Sequence, residues 1–111
     1  MENKNFELII SIVDRGYSDL VVDAARNAGA SGGTIIHGRG TSVQNDESVL
    51  GISIQPEKEI IMTLTNSDSK KQIMEAICDN ADLYEAGKGI CFSLPVNQVR
   101  GLSSSKKKEE N

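Results

Sequence analysis

The chain has no tryptophan and only four aromatic residues, Phe6, Tyr17, Tyr84 and Phe92. Its core must therefore be built from Ile, Val, Leu, Met and Ala. A 111-residue chain so thin in large side chains is one domain with a modest core, and self-association is one way to add to it. It has one histidine, His37, and two cysteines, Cys78 and Cys91, which are far apart and show no metal-type spacing. No standard zinc set can be assembled from these, and the cysteines read as two reduced, half-buried thiols. No apolar run approaches the roughly 20 residues that a membrane span needs. The first residues, Met1-Glu2-Asn3-Lys4-Asn5, are polar and contain no apolar signal region. The expectation is a cytoplasmic protein that a membrane partner could recruit. The net charge of −4 leaves no basic face for nucleic acid. There is also no Ser-His-Asp spacing, no pair of carboxylates in an apolar frame and no Walker loop, so no enzyme is expected.

What is present is a regular alternation of elements. Phe6 to Val13 reads as a strand with apolar residues on both faces, which places it inside a sheet. Asp14-Arg15-Gly16 is a turn. Ser18 is a helix N-cap, Leu20, Val21, Ala24, Ala25 and Ala28 recur at helical spacing, and Gly29 sits at the C-terminal cap position. Thr34 to His37 is a second strand. The polar, glycine-led stretch from Gly38 to Ser48 has no periodicity and reads as an exposed, mobile loop. Val49 to Leu64 is extended, with a bend at Pro56, so that the whole resembles a long hairpin with the polar loop at its tip. Asn66 to Ser69 is a capping cluster before a helix from about Lys70 to Asn80, with Ile73, Ala76 and Ile77 inward. Gly89 to Leu94 is a last strand, ended by Pro95. Domain boundaries fall at residues 1–102, with 103–111 a low-complexity, disordered polar tail.

The order strand, helix, strand, strand, helix, strand gives an α+β fold. It is the ferredoxin-like βαββαβ arrangement, an antiparallel sheet with two helices on one face. The other face is bare in a single chain. Either Ile9 and Val13 or the Phe6 and Leu8 set must point there, and an apolar uncovered face predicts an oligomer.

Two segments carry candidate chemistry. In Gly38-Arg39-Gly40-Thr41, glycines allow close approach of a ligand to the backbone, and the Arg fork suits phosphate or carboxylate. Gly87-Lys88-Gly89 repeats that logic before the last strand. Both are short of a dinucleotide fingerprint. They are not neighbours within one ferredoxin-like chain but could meet across a subunit boundary. Arg100 is a further candidate cation. Lys106-Lys107-Lys108 is followed by Glu109-Glu110 and reads as a solvated tail.

Three stretches resemble PII signal-transduction proteins and their PII-like relatives. Gly29-Ala30-Ser31-Gly32-Gly33-Thr34-Ile35-Ile36-His37-Gly38-Arg39-Gly40 is similar to the segment entering their T-loop. Gln55-Pro56-Glu57-Lys58-Glu59-Ile60-Ile61-Met62 is similar to their strand after it. Gly87-Lys88-Gly89-Ile90-Cys91-Phe92-Ser93-Leu94-Pro95-Val96 is similar to their B-loop and last strand. The resemblance implies a homotrimer that binds an effector, usually an adenine nucleotide, in clefts between subunits. It matches Gly38 and Gly40 to the glycines at the T-loop base and Gly87 and Gly89 to the B-loop; with Arg39, Thr41, Lys88 and Arg100 from the residues themselves, these are the expected ligand contacts. The loop carrying Ser42, Gln44, Asn45, Asp46, Glu47 and Ser48 would touch a partner, a membrane transporter or a metabolic enzyme.

The match has departures. Lys88 lies between the two B-loop glycines, whereas the family's phosphate-binding Lys follows the second; Ile90 holds that place. Ser42 stands where the family has the Gln that helps chelate magnesium and 2-oxoglutarate. The paired C-terminal arginines that hold ATP align near Gly101 and Ser103, and the loop has no Tyr for uridylylation. These point to a PII-like branch with another effector, a different nucleotide or a small anion. The alternatives are a trimeric metal-binding protein of the ferredoxin-like divalent-ion tolerance type, which needs more ligands than His37, Cys78 and Cys91, and a small enzyme acting on the bound ligand, with His37 as its one general base.

Overall fold

A computed structural model describes residues 5–41, 47–49, 52–54, 57–85 and 87–102. The chain runs β1 (Phe6–Asp14), α1 (Ser18–Asn27), β2 (Thr34–Arg39), β3 (Glu47–Val49), β4 (Ile52–Ile54), β5 (Glu57–Asn66), α2 (Ser67–Asn80), β6 (Gly89–Val96). The main sheet has the order β2-β5-β1-β6, with all neighbours antiparallel. β1 is central, as its two apolar faces require. Both helices lie over one face. This is the βαββαβ ferredoxin-like fold, with β3 and β4 as a separate two-stranded ribbon inserted between β2 and β5.

Residue parity on β1 and β5 decides what each face holds. The covered face carries Ile9, Val13 and Ile61, which meet Val21, Ala24 and Ala25 of α1 and Ile73 and Ile77 of α2. Small residues on α1 let that helix lie close to the sheet. The bare face is the Phe6 and Leu8 set. Its rows, read across the register, are Ile36-Ile60-Ile12-Ile90, Thr34-Met62-Ile10-Phe92 and Leu64-Leu8-Leu94.

The helix ends differ from the sequence reading in a useful way. The N-cap of α1 is Tyr17, not Ser18, and no side chain of its own caps it. The Glu59 carboxylate reaches over from β5 instead: its Oε1 accepts from the backbone N–H of Gly16 and of Ser18, both at 3.1 Å. At the other end Ala30 N–H returns to Ala25 O at 2.9 Å across Gly29, whose φ of +116° suits glycine. Helix α2 starts at Ser67, three residues early. Asn66 is its extended N-cap, and the Ser67 N–H and hydroxyl both donate to Asn5 O.

Three further expectations change. β2 runs through Gly38 to Arg39, because β5 offers a partner down to Glu57. Glu47 and Ser48 belong to a strand, not to an aperiodic loop. Their short alternating run pairs with Ile52–Ile54, so the insertion is a ribbon of its own rather than the tip of one long hairpin. β6 continues through Pro95, opposite Glu7. It is an edge strand with a partner on one side only, so half of its N–H groups have no ladder bond to lose. Ser42, Gln44, Asn45 and Asp46, and the tail 103–111, lie outside the described residues.

Candidate functional site

The base of the inserted loop is held by alternating charges. Gln55 and Pro56, where a bend is expected, lie outside the described residues; after them the chain reads Glu57-Lys58-Glu59, and the register sets it against Asp14 at the end of β1 and the turn that follows. Lys58 Nζ donates to Asp14 Oδ1 at 2.6 Å, and Arg15 Nη1 to Glu57 Oε1 at 2.7 Å. The Arg15 N–H also donates to Glu57 O at 3.2 Å. Lys58 packs over Gly40 so closely that a Cβ there would lie 2.8 Å from its Cε. The absence of a side chain at Gly40 is what lets Lys58 lie there.

Glu59 is the buried member of this group. Burial pushes its pKa up, but the Ser18 hydroxyl, the Gly16 and Ser18 N–H groups and nearby His37 outweigh that and hold the carboxyl below its usual range. His37 faces it across the strand pair, Nδ1 to Oε2 at 3.7 Å, with the imidazole largely in solvent.

Two clefts lie at opposite ends of β2, about 16 Å apart by strand rise. The first, of about 490 Å³, is lined by Arg15, His37, Gly38, Arg39, Glu57 and Lys58. It brings three cations to the base of the loop. The second, of about 750 Å³, opens where β2 begins, beside the glycine-rich turn 29–33. Thr34, Met62, Leu64, Phe6 and Leu8 line it, with Asn66 and Ser69, and no charged side chain among its lining residues.

The sequence candidates divide between these places. Gly38 and Arg39 line the charged cleft, with Gly40 and Thr41 next in the chain. Gly87-Lys88-Gly89 leads into β6, the opposite edge of the sheet. Gly89, Val13, Glu59 and His37 form one row across all four strands, so this segment is at the same end as His37 but three strand spacings away, about 14 Å. Within one chain the two glycine segments do not meet. Gly89 has φ +148°, and a Cβ on it would lie 2.5 Å from Ile12 O, so only glycine fits. Arg100 follows β6 at the far end, next to Gly101 and Leu102, which line the neutral cleft. It is not grouped with Arg39.

Sequence reasoning missed Arg15, Lys58 and Glu59. Their signal was the period-two charge alternation of Glu57-Lys58-Glu59, which becomes informative only once the register with Asp14 is known.

Among the described residues no three His, Cys, Asp or Glu side chains converge as a metal set. Cys78 and Cys91 are free and half-buried. Burial pushes both thiols up; Asp79 adds to this at Cys78, while the Ser11 hydroxyl, donating to Cys91 Sγ at 3.6 Å, partly offsets it there. No helix is long and apolar enough to cross a membrane.

A ferredoxin-like sheet with an insertion rooted between β2 and β5, and clefts along the β2 edge, defines an α+β protein of the ferredoxin-like class. The chain belongs to the nitrogen regulatory protein P-II family, whose model matches residues 6–106. Among solved structures, PII of Arabidopsis thaliana bound to citrate is similar, at a TM-score of 0.67 and 22 % identity over 92 % of this chain and 84 % of that one. That likeness is one of fold. No curated protein matches the chain significantly.

Proposed function

We propose that the protein is a cytoplasmic PII-like sensor, not an enzyme. In this reading it assembles as a homotrimer, binds a small anionic effector in clefts between subunits, and reports occupancy to a partner through the inserted loop. The observation that carries the reading is the division of charge along β2. A nucleotide fits it: a neutral base against the glycine-rich turn, and phosphates toward Arg39 at the root of the loop. An adenine nucleotide is the effector this favours, with a small polycarboxylate as the second candidate. A neighbouring subunit would bring Gly87-Lys88-Gly89 to the charged end, supplying backbone N–H groups and a cation. It would also cover the bare face of the sheet. The partner class is a membrane transporter or a metabolic enzyme.

The test is thermal unfolding of the purified protein against ATP, ADP, AMP, cyclic AMP, cyclic di-AMP, 2-oxoglutarate, citrate and bicarbonate, each with and without magnesium. A ligand at about 100 times its dissociation constant stabilises by about 2.7 kcal/mol, enough to move the midpoint by several degrees. Arg39→Ala is expected to abolish the shift and leave the assembly intact. If no compound shifts the midpoint, or Arg39→Ala leaves the shift unchanged, this assignment of the site is wrong.

A further inference from the structure

Arg15 and Lys58 line the same cleft but are held differently. Lys58 is largely buried, is tied to Asp14 at 2.6 Å and lies over Gly40. It is a fixed part of the wall. The Arg15–Glu57 pair is 2.7 Å long, yet the two side chains are 70 % and 57 % exposed. An ion pair that open to water contributes little and exchanges readily. The fold does not depend on it, because the Arg15 N–H to Glu57 O bond joins the same two residues through the backbone. Glu57 thus places a carboxylate on a guanidinium in a cleft whose other cations are Arg39 and Lys58. A guanidinium presents a planar fork that matches the paired oxygens of carboxylate and phosphate.

We propose that Arg15 is a ligand-binding residue of the charged cleft, and that the Glu57 carboxylate occupies it internally until the anionic group of the effector displaces it. This rests on the sensor reading above. The ligand chemistry is a multiply charged anion with phosphate or carboxylate oxygens to span Arg15 and Arg39. Glu57 is the first residue of β5, immediately after the insertion. Displacing its side chain therefore changes the contacts at the root of the loop at the moment of binding, which couples occupancy to the reporting element.

The experiment is titration calorimetry on the full chain with two probes, citrate and ATP. It compares wild type, Glu57→Ala, Arg15→Ala and the double variant, with Glu57→Gln as a milder replacement if Glu57→Ala does not fold. Removing the internal competitor is expected to tighten at least one probe by about 3- to 10-fold; the probe that responds tells carboxylate from phosphate. Arg15→Ala is expected to weaken that probe by a similar factor and to abolish the gain from Glu57→Ala in the double variant. Binding that tightens only in the Glu57 variants, where wild type shows none, also supports the proposal. An unchanged or weaker affinity in both Glu57 variants overturns it while leaving the sensor reading in place, as does a gain that persists without Arg15, since that is a general charge effect. Absence of binding by either probe to wild type and to both Glu57 variants overturns the proposal, and the sensor reading then stands or falls on the wider ligand panel above.

Discussion

The two faces of the sheet invert the usual expectation. The face covered by helices buries Ser11, Thr63, Thr65 and Glu59 among its aliphatic residues. The face with no cover has Ile10, Ile12, Ile60, Met62, Leu64 and Leu8 on its inner strands. On its edge strands Ile36, Ile90, Phe92 and Leu94 are 38–56 % exposed. Water is a poor neighbour for such a surface, and a single chain gains nothing from keeping it. The covered face can tolerate polar residues because the hydroxyls and the carboxylate there are satisfied; no buried side-chain nitrogen or oxygen among the described residues lacks a partner. The covered face, aliphatic with a few satisfied polar groups, thus holds the chain together, and in the proposed trimer the bare apolar face is the one buried between copies.

The largest expected effect comes from putting a charge into the centre of the bare face. Ile10 lies mid-row between Met62 and Phe92. In Ile10→Glu the carboxylate of an isolated chain reaches water, so the fold survives with a native far-ultraviolet spectrum. In the proposed trimer the same carboxylate is buried among aliphatic groups, which costs several kcal/mol per subunit. Sedimentation equilibrium is expected to give a trimer for wild type and a monomer for the variant. A wild-type monomer, or an unchanged variant trimer, would show that this face is not the contact.

A smaller effect follows from the covered face. Ile61 is fully buried on β5 between both helices. Ile61→Ala is expected to lower unfolding free energy by about 2–5 kcal/mol through lost burial and a residual cavity. Chemical denaturation checks this. A loss below about 1 kcal/mol would mean that the helices collapse onto the gap, and that the covered face packs less tightly than its burial indicates.

Much of this architecture was legible in the residues because it depends on local pattern. The apolar alternation of Phe6 to Val13, the helical spacing of Val21, Ala24 and Ala25, and the glycine after Ala28 each specify an element without reference to the rest of the chain. Family membership was legible through the same kind of short run, around Gly38-Arg39-Gly40 and Gly87-Lys88-Gly89. What could not be read was pairwise. Ser18 has every property of an N-cap, yet Glu59, 41 residues away, takes that part. Arg15 and Lys58 read as a turn residue and a strand residue until the register set them beside Glu57 and Asp14. The end of β6 was misjudged for the same reason, since Pro95 stops a central strand and not an edge one, and which of the two it was depended on the strand order.

The smallest effect sharpens the role of the one carboxylate on the covered face. Glu59 is held below its usual pKa, so it binds its proton more weakly folded than unfolded. The unfolded chain takes up the proton first as pH falls through about 4.3. The stabilisation from Glu59 is therefore complete above that pH and is lost as pH drops toward the folded pKa. In Glu59→Gln the side-chain oxygen can still accept from Gly16 and Ser18, but without charge, so the cost at neutral pH is about 1–2 kcal/mol. Groups that do not contact Glu59 are common to both proteins and cancel in the difference. The gap between wild type and Glu59→Gln is thus expected to begin to narrow as pH falls through about 4.3 and to go on narrowing below it. Urea unfolding at half-unit pH intervals measures it. A gap that does not narrow at all as pH falls below about 4.3 would mean that the Glu59 charge does not hold the start of α1, and that the loss comes from repacking around the amide.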